Sequence, residues 1–175
     1  MATAVVSLLL FTLLTVNHAA EPDTNNPVPA ITPIKLEITT HLGDRQTFVE
    51  GDTLSFLLSL DSDAYLLIIY EDAASNLIQL LPNSRMGNNL QHAGVFLTIP
   101  PANAGFRFKV RAPFGAETLW AFASDVPFPE LKGKRLNNGL KLLDSDIPAI
   151  QKQLLALPRT AFGRAKLSIF TKSRD

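Results

Sequence analysis

The stretch FRFKVRA places Arg107, Lys109 and Arg111 at alternate positions. Residues two apart on a β-strand share a face, so the three cations would stand in a row about 7 Å apart. Such a row can meet an anionic polymer, a lipid headgroup or an acidic partner protein. It can equally form a solvated outer face that discourages strand pairing. A second group follows Leu81-Pro82-Asn83, where Asn83, Asn88, Asn89 and His92 fall in one polar stretch. Amide and imidazole groups read sugars and peptide backbone well, and the same amides stabilise connections through Asx turns. These seven residues are the candidate binding positions.

Metal and catalytic chemistry have less to work with. Asp61-Ser62-Asp63 and Asp144-Ser145-Asp146 have the spacing of a calcium-loop fragment, but the further acids, the glycine and the terminal Glu do not follow. The first reads as a turn and the second as a helix cap. The chain has no cysteine, which excludes thiolate zinc sites, dithiol redox chemistry and disulfides. Beyond the N-terminal stretch only His41 and His92 remain, and no Gly-x-Ser-x-Gly elbow occurs. Glu50, Asp52, Glu71 and Glu117 could act as an acid–base pair only if the fold joined two of them. The expectation is no cofactor, no metal and no enzymatic activity.

The elements that position these residues read as mostly β. KLEITT alternates, with Leu36 and Ile38 on one side, and Glu50-Gly51-Asp52 reads as a turn. TLSFLLSL then sets Leu54, Phe56, Leu58 and Leu60 at period two. AYLLIIY is almost continuously apolar, which suits a strand covered on both faces. A break at Glu71 to Asn76 and a stop at Pro82 make a hairpin of the Tyr65–Asn83 stretch, because proline cannot donate to a ladder. GVFLTIP puts Val95, Leu97 and Ile99 on one face. FRFKVRA alternates Phe106, Phe108 and Val110 inward with the cations outward. ETLWAFAS and RAKLSIFT supply two more strands.

One segment has helical period. In DSDIPAIQKQLLAL, Asp146 is placed to cap, Pro148 suits the first turn, and Ile150, Leu154 and Leu157 recur on one face. A helix from Ile147 to Ala156 is expected, ended by Pro158. It would cover the Trp120 and Phe122 side of ETLWAFAS. Left uncovered, that pair beside Pro127-Phe128-Pro129 would make a partner-binding patch.

With 175 residues the chain suits one domain with a core that needs no staples. Its 16 basic and 16 acidic residues balance, which argues against nucleic acid as a partner. The apolar run Ala2–Val16, followed by small residues, reads as a signal-peptide core too short to span a bilayer. Residues 1–20 are therefore expected to be a signal peptide, residues 21–34 a linker containing four prolines, and residues 35–173 a single β-sandwich domain. That predicts a periplasmic or secreted protein, with no transmembrane span in its mature form and no lipobox cysteine.

Gly51-Asp52, Tyr65-Leu66, Leu81-Pro82-Asn83, Ile99-Pro100, Pro113, Gly115-Ala116-Glu117 and Ser124 form an ordered series. The series resembles the bacterial domain-of-unknown-function family 4384, over about Leu36 to Thr171. The sequence departs from the family pattern at Asp72-Ala73-Ala74-Ser75-Asn76, where a glycine turn is usual. The resemblance implies an exported or surface-exposed accessory domain with no assigned catalytic residues.

The combined expectation is a mostly β, antiparallel β-sandwich with one C-terminal helix before the last strand. Its function would be that of an exported, non-catalytic accessory or binding module of the bacterial cell envelope. The expected partner is an envelope protein or an anionic envelope polymer. The alternative is a periplasmic inhibitor or immunity-type protein that blocks a partner enzyme.

Overall fold

The apolar run Ala64–Glu71 lies in the interior of a nine-stranded sheet and is covered on both faces, as its composition requires. The computed structural model describes residues 30–175 apart from Asp44 and Gly105. The expected signal peptide and residues 21–29 of the expected linker lie outside the described residues.

In chain order the strands begin with β1 (Thr32–Pro33), β2 (Leu36–Thr40), β3 (Thr47–Val49), β4 (Thr53–Leu54) and β5 (Phe56–Leu60). The hairpin β6 (Ala64–Glu71) and β7 (Leu77–Leu81) follows, then β8 (Leu90–Gln91), β9 (Leu97–Ile99) and β10 (Phe108–Lys109). The chain continues through β11 (Ala116–Ser124), β12 (Gly133–Arg135), β13 (Lys141–Leu143), helix α1 (Ile147–Leu155) and β14 (Ala161–Lys172).

The large sheet runs β1-β14-β11-β6-β7-β13-β12, with β3 also on β14 and β8 on β6. Its pairings are antiparallel except those of β1 and β3 with β14. A small antiparallel sheet, β2-β5-β9, packs over one face. The period-two run of β5 supplies Phe56, Leu58 and Leu60, which join Leu66, Ile68, Leu119, Ala121, Leu167 and Ile169 in one buried cluster. A second cluster forms on the other face, where Leu67, Ile69, Leu77 and Phe122 gather with Ile147, Ile150 and Leu154 of α1. The result is a mostly β, antiparallel-rich sandwich with a helix over the outer face of its large sheet, preceding the last strand.

The helix forms where the sequence places it. Asp146 accepts from the Ala149 amide at 2.8 Å, Pro148 sits in the first turn, and Arg159 donates to the Leu154 carbonyl beyond the last turn. The helix covers Phe122, so the Trp120 and Phe122 side serves core packing rather than an open patch. Trp120 lies at its margin, donating from Nε1 to Glu71 at 2.8 Å, with the Lys166 ammonium 4.8 Å from its ring centre.

Two expectations are corrected in the same region. GVFLTIP is a strand only over Leu97–Ile99, and Val95 does not share its buried face: Val95 and Phe96 are exposed, Phe96 by 77%. FRFKVRA keeps its alternation of burial, but only Phe108 and Lys109 form regular strand pairs.

Candidate functional site

The backbone of residues 106–111 is held against the turn at Glu50-Gly51-Asp52. Phe108 pairs with Leu54 and Lys109 with Thr53, while Gly51 donates to Val110 at 2.9 Å and Val110 donates to Asp52 at 3.0 Å. Gly51 has φ of 87°, a left-handed conformation that a residue with a Cβ rarely adopts, so the glycine fits the tightness of this turn. The Asp52 carboxylate accepts from the Val49 amide at 2.8 Å and closes it.

Fixed in this way, the segment buries Val110, half-buries Phe106 and Phe108, and leaves Arg107, Lys109 and Arg111 exposed. Phe108 packs near Phe56 with ring centres 6.4 Å apart, and meets Phe106 edge-on at 5.6 Å. The three cations line one cleft of about 470 Å³, whose walls include Leu54, Phe56, Ile78 and Leu80.

The cations are not equivalent. Arg107 donates to the carbonyls of Phe106 at 3.0 Å and Ala102 at 3.2 Å, so its guanidinium is engaged by its own chain. Among the described residues, Lys109 and Arg111 have no carboxylate within ion-pair distance.

Tyr70 and Glu117 also line the cleft and belong to a buried network. Tyr70 donates its hydroxyl to Glu117, and Thr171 Oγ1 donates to the other carboxylate oxygen at 3.0 Å. Gly115 in turn donates to Thr171 Oγ1 at 3.1 Å. Glu117 is only 3% exposed, and that burial pushes its carboxyl above the usual carboxylate range against the opposing pull of the two hydroxyl donors. Burial, with Glu117 beside it, pushes the Tyr70 phenol up as well.

The carboxylates named from sequence are not joined. Glu71 accepts from Trp120 on the helix side of the large sheet, Glu117 points to the other face, and Asp52 closes its turn beside Arg174 at 3.6 Å. Among the described residues no group of three or more His, Asp or Glu side chains is placed to hold a metal.

The polar stretch from Asn83 to His92 is held largely by local bonds. Asn83 Oδ1 accepts from the amides of Arg85 and Met86, both at 2.9 Å, and its Nδ2 donates to Leu80 at 2.6 Å. Asn88 Oδ1 accepts from Leu90 at 3.1 Å, and Asn89 Nδ2 donates to Leu66 at 2.9 Å. His92 Nδ1 lies 2.9 Å from Asp63, whose other oxygen accepts from the Ala93 amide at 2.8 Å. These bonds dock the loop onto β6 and its preceding turn. The four residues do not converge with the cation row, since none of them lines its cleft.

The fold and cleft define a β-sandwich domain with a cation-rimmed, partly apolar recess. Residues 47–127, just under half of the chain, match the family model described as "Domain of unknown function (DUF4384)", and over that segment the chain resembles that family. All the landmarks from Gly51 to Ser124 fall inside this match, which is narrower than the span from about Leu36 to Thr171 over which the sequence reading placed the resemblance. The matched segment includes β3 to β11, with both the hairpin and the cation row, and excludes α1 and β14. Comparison with curated proteins and with solved structures returned no match.

Proposed function

We propose that this chain is an exported, non-catalytic binding module of the bacterial cell envelope, which captures an anionic envelope polymer or acidic partner protein at the Arg107–Arg111 segment. The observation that carries this reading is the pair Lys109 and Arg111, exposed at the rim of the cleft and without a carboxylate partner among the described residues. Two such cations, on a segment whose backbone is bonded to the Glu50–Asp52 turn, attract an anionic surface at no cost in broken internal ion pairs. The apolar N-terminal run supports export.

Each exposed charge contact is worth about 0.2–1 kcal/mol. Replacing Lys109 and Arg111 by alanine should therefore weaken capture of the partner from an envelope fraction roughly 2- to 30-fold. The melting temperature should stay unchanged, and wild-type capture should weaken as salt rises. Capture that is insensitive to both the substitutions and salt would overturn the proposal.

A further inference from the structure

Strand β12 ends the large sheet, and only β13 pairs with it. The register decides which of its backbone groups that pairing uses. Leu136 N–H donates to the Leu140 carbonyl at 2.9 Å, and Asp144 N–H donates to the Lys132 carbonyl at 3.3 Å. In an antiparallel ladder such bonded positions alternate with non-bonded ones. Lys134 opposite Leu142 is then a bonded position. Gly133 and Arg135, opposite Leu143 and Lys141, turn their N–H and C=O groups away from β13. Among the described residues these outward groups have no backbone partner.

The two faces of this edge differ. Arg135 shares the helix side with Lys141 and lines a second recess, of about 320 Å³, together with the half-buried Phe128 and Pro129. Charge is largely balanced there, because Glu130 pairs with Lys141 at 2.8 Å and also feels Arg135. On the other face stand Lys134 and, two positions earlier, Lys132. Both are exposed, with no carboxylate in ion-pair distance among the described residues. Lysines on an edge strand discourage unwanted pairing. A second copy of this chain, paired antiparallel through β12, would set lysine against lysine on that face, which destabilises a strand pair. An acidic strand meets no such penalty.

We propose that the free edge of β12 docks an extended segment of a partner protein, one that alternates acidic and apolar residues. The segment adds an antiparallel strand through the outward groups of Gly133 and Arg135. Its residue opposite Arg135 shares that side chain's face, so the apolar positions turn toward Phe128 and Pro129. The acidic positions between them then lie over Lys132 and Lys134. This surface is separate from the cation row, whose three residues do not line the recess.

The test titrates the full chain carrying Lys109→Ala and Arg111→Ala, so that the cation row takes no part. The probe is a capped hexapeptide of alternating glutamate and valine, followed by calorimetry and amide-shift mapping. It should bind and shift resonances across residues 132–143. N-methylation of its valines keeps every charge but removes the donors aimed at β12, and should weaken binding at least about tenfold. N-methylation of its glutamates, whose N–H groups face away, should cost less. Lys132→Ala with Lys134→Ala should weaken binding roughly 2- to 30-fold. Arg135→Pro removes an outward N–H that the β13 ladder does not use, and should bind about 2- to 12-fold more weakly than Arg135→Ala. No binding, shifts confined to other segments, or equal affinity for the valine-methylated peptide would each overturn the proposal. So would equal affinity for a glutamine-for-glutamate peptide, or a dimer of the chain formed through β12. If Arg135→Pro does not fold, the methylated peptides decide the matter.

Discussion

Replacing Leu154 by alanine tests whether α1 is a structural layer or an appendage. Leu154 is 0% exposed and shares its cluster with Leu67, Ile69 and Phe122 of the sheet, whereas its neighbour Leu155 is 64% exposed. The substitution removes three carbons, and at about 0.8 kcal/mol per buried methylene the transfer cost alone is about 2.4 kcal/mol. A cavity against a rigid sheet adds to this, within the usual range of about 2–5 kcal/mol for buried leucine. About 3 kcal/mol is the expected loss, because a helix packed on one face can settle partly into the space. For a chain this size that corresponds to a fall of roughly 6–12 °C in melting temperature.

Urea titration should show a lower midpoint with an unchanged slope, since the surface exposed on unfolding stays nearly the same. Leu155→Ala should change stability by no more than about 0.5 kcal/mol. A loss below about 1 kcal/mol for Leu154→Ala, or equal effects in the two variants, would refute the packing of α1 on Phe122.

Two further substitutions probe the polar groups around the cleft. Asp72 accepts from the amides of Ala74 at 2.9 Å and Asn76 at 2.8 Å, and from Asn76 Nδ2 at 2.8 Å, so Asp72→Ala should cost about 1–3 kcal/mol in a thermal or urea melt. A smaller loss would mean that the hairpin holds without this turn. Burial raises the Glu117 carboxyl above its ordinary value, so the native state holds that proton more tightly than the unfolded chain does. The associated stability is fully present below the unfolded value and is lost as pH rises through the raised folded value. Glu117→Gln, which does not titrate, should therefore flatten the stability profile across that window, and identical slopes in the two proteins would refute the assignment.

Much of the fold is readable from spacing. Phe56, Leu58 and Leu60 announce a strand with one buried side, and the unbroken run of β6 announces two. Asp146 and Pro148 mark the start of α1 to the residue. The failures have physical reasons. Val95 and Phe96 are apolar and precede a strand, but exposure at that position is decided by whether a neighbour covers it, which periodicity does not record. Glu117 shares a face with Leu119, Ala121 and Ala123 at period two, a signal that it is buried, yet its partners Tyr70 and Thr171 are 47 and 54 positions away. For the asparagines after Pro82, residue type is the same whether an amide serves a ligand or the local backbone, and only coordinates show Asn83, Asn88 and Asn89 bonded to their own chain.

Strand β7 explains how one short hairpin can contribute to two separate recesses. Ile78 and Leu80 line the cleft under the cation row, and Gln79 between them lines the recess on the opposite face. Simple alternation would carry Leu81 to the Gln79 side. It does not arrive there, because the register with β6 shifts: Ile69 pairs with Gln79, but the preceding Ile68 pairs with Leu81. Leu80 is therefore the extra residue of a bulge, and Leu80 and Leu81 both join the cluster between the sheets. The bulge removes a leucine from the space beside the Gln79 amide and brings the Pro82 carbonyl within 2.6 Å of its nitrogen. Pro82 then ends the strand, since it has no N–H to continue the ladder. What reads in sequence as a proline stop is thus coupled to the irregularity that sends Leu80 and Leu81 together into the cluster between the sheets and leaves Gln79 on the opposite face.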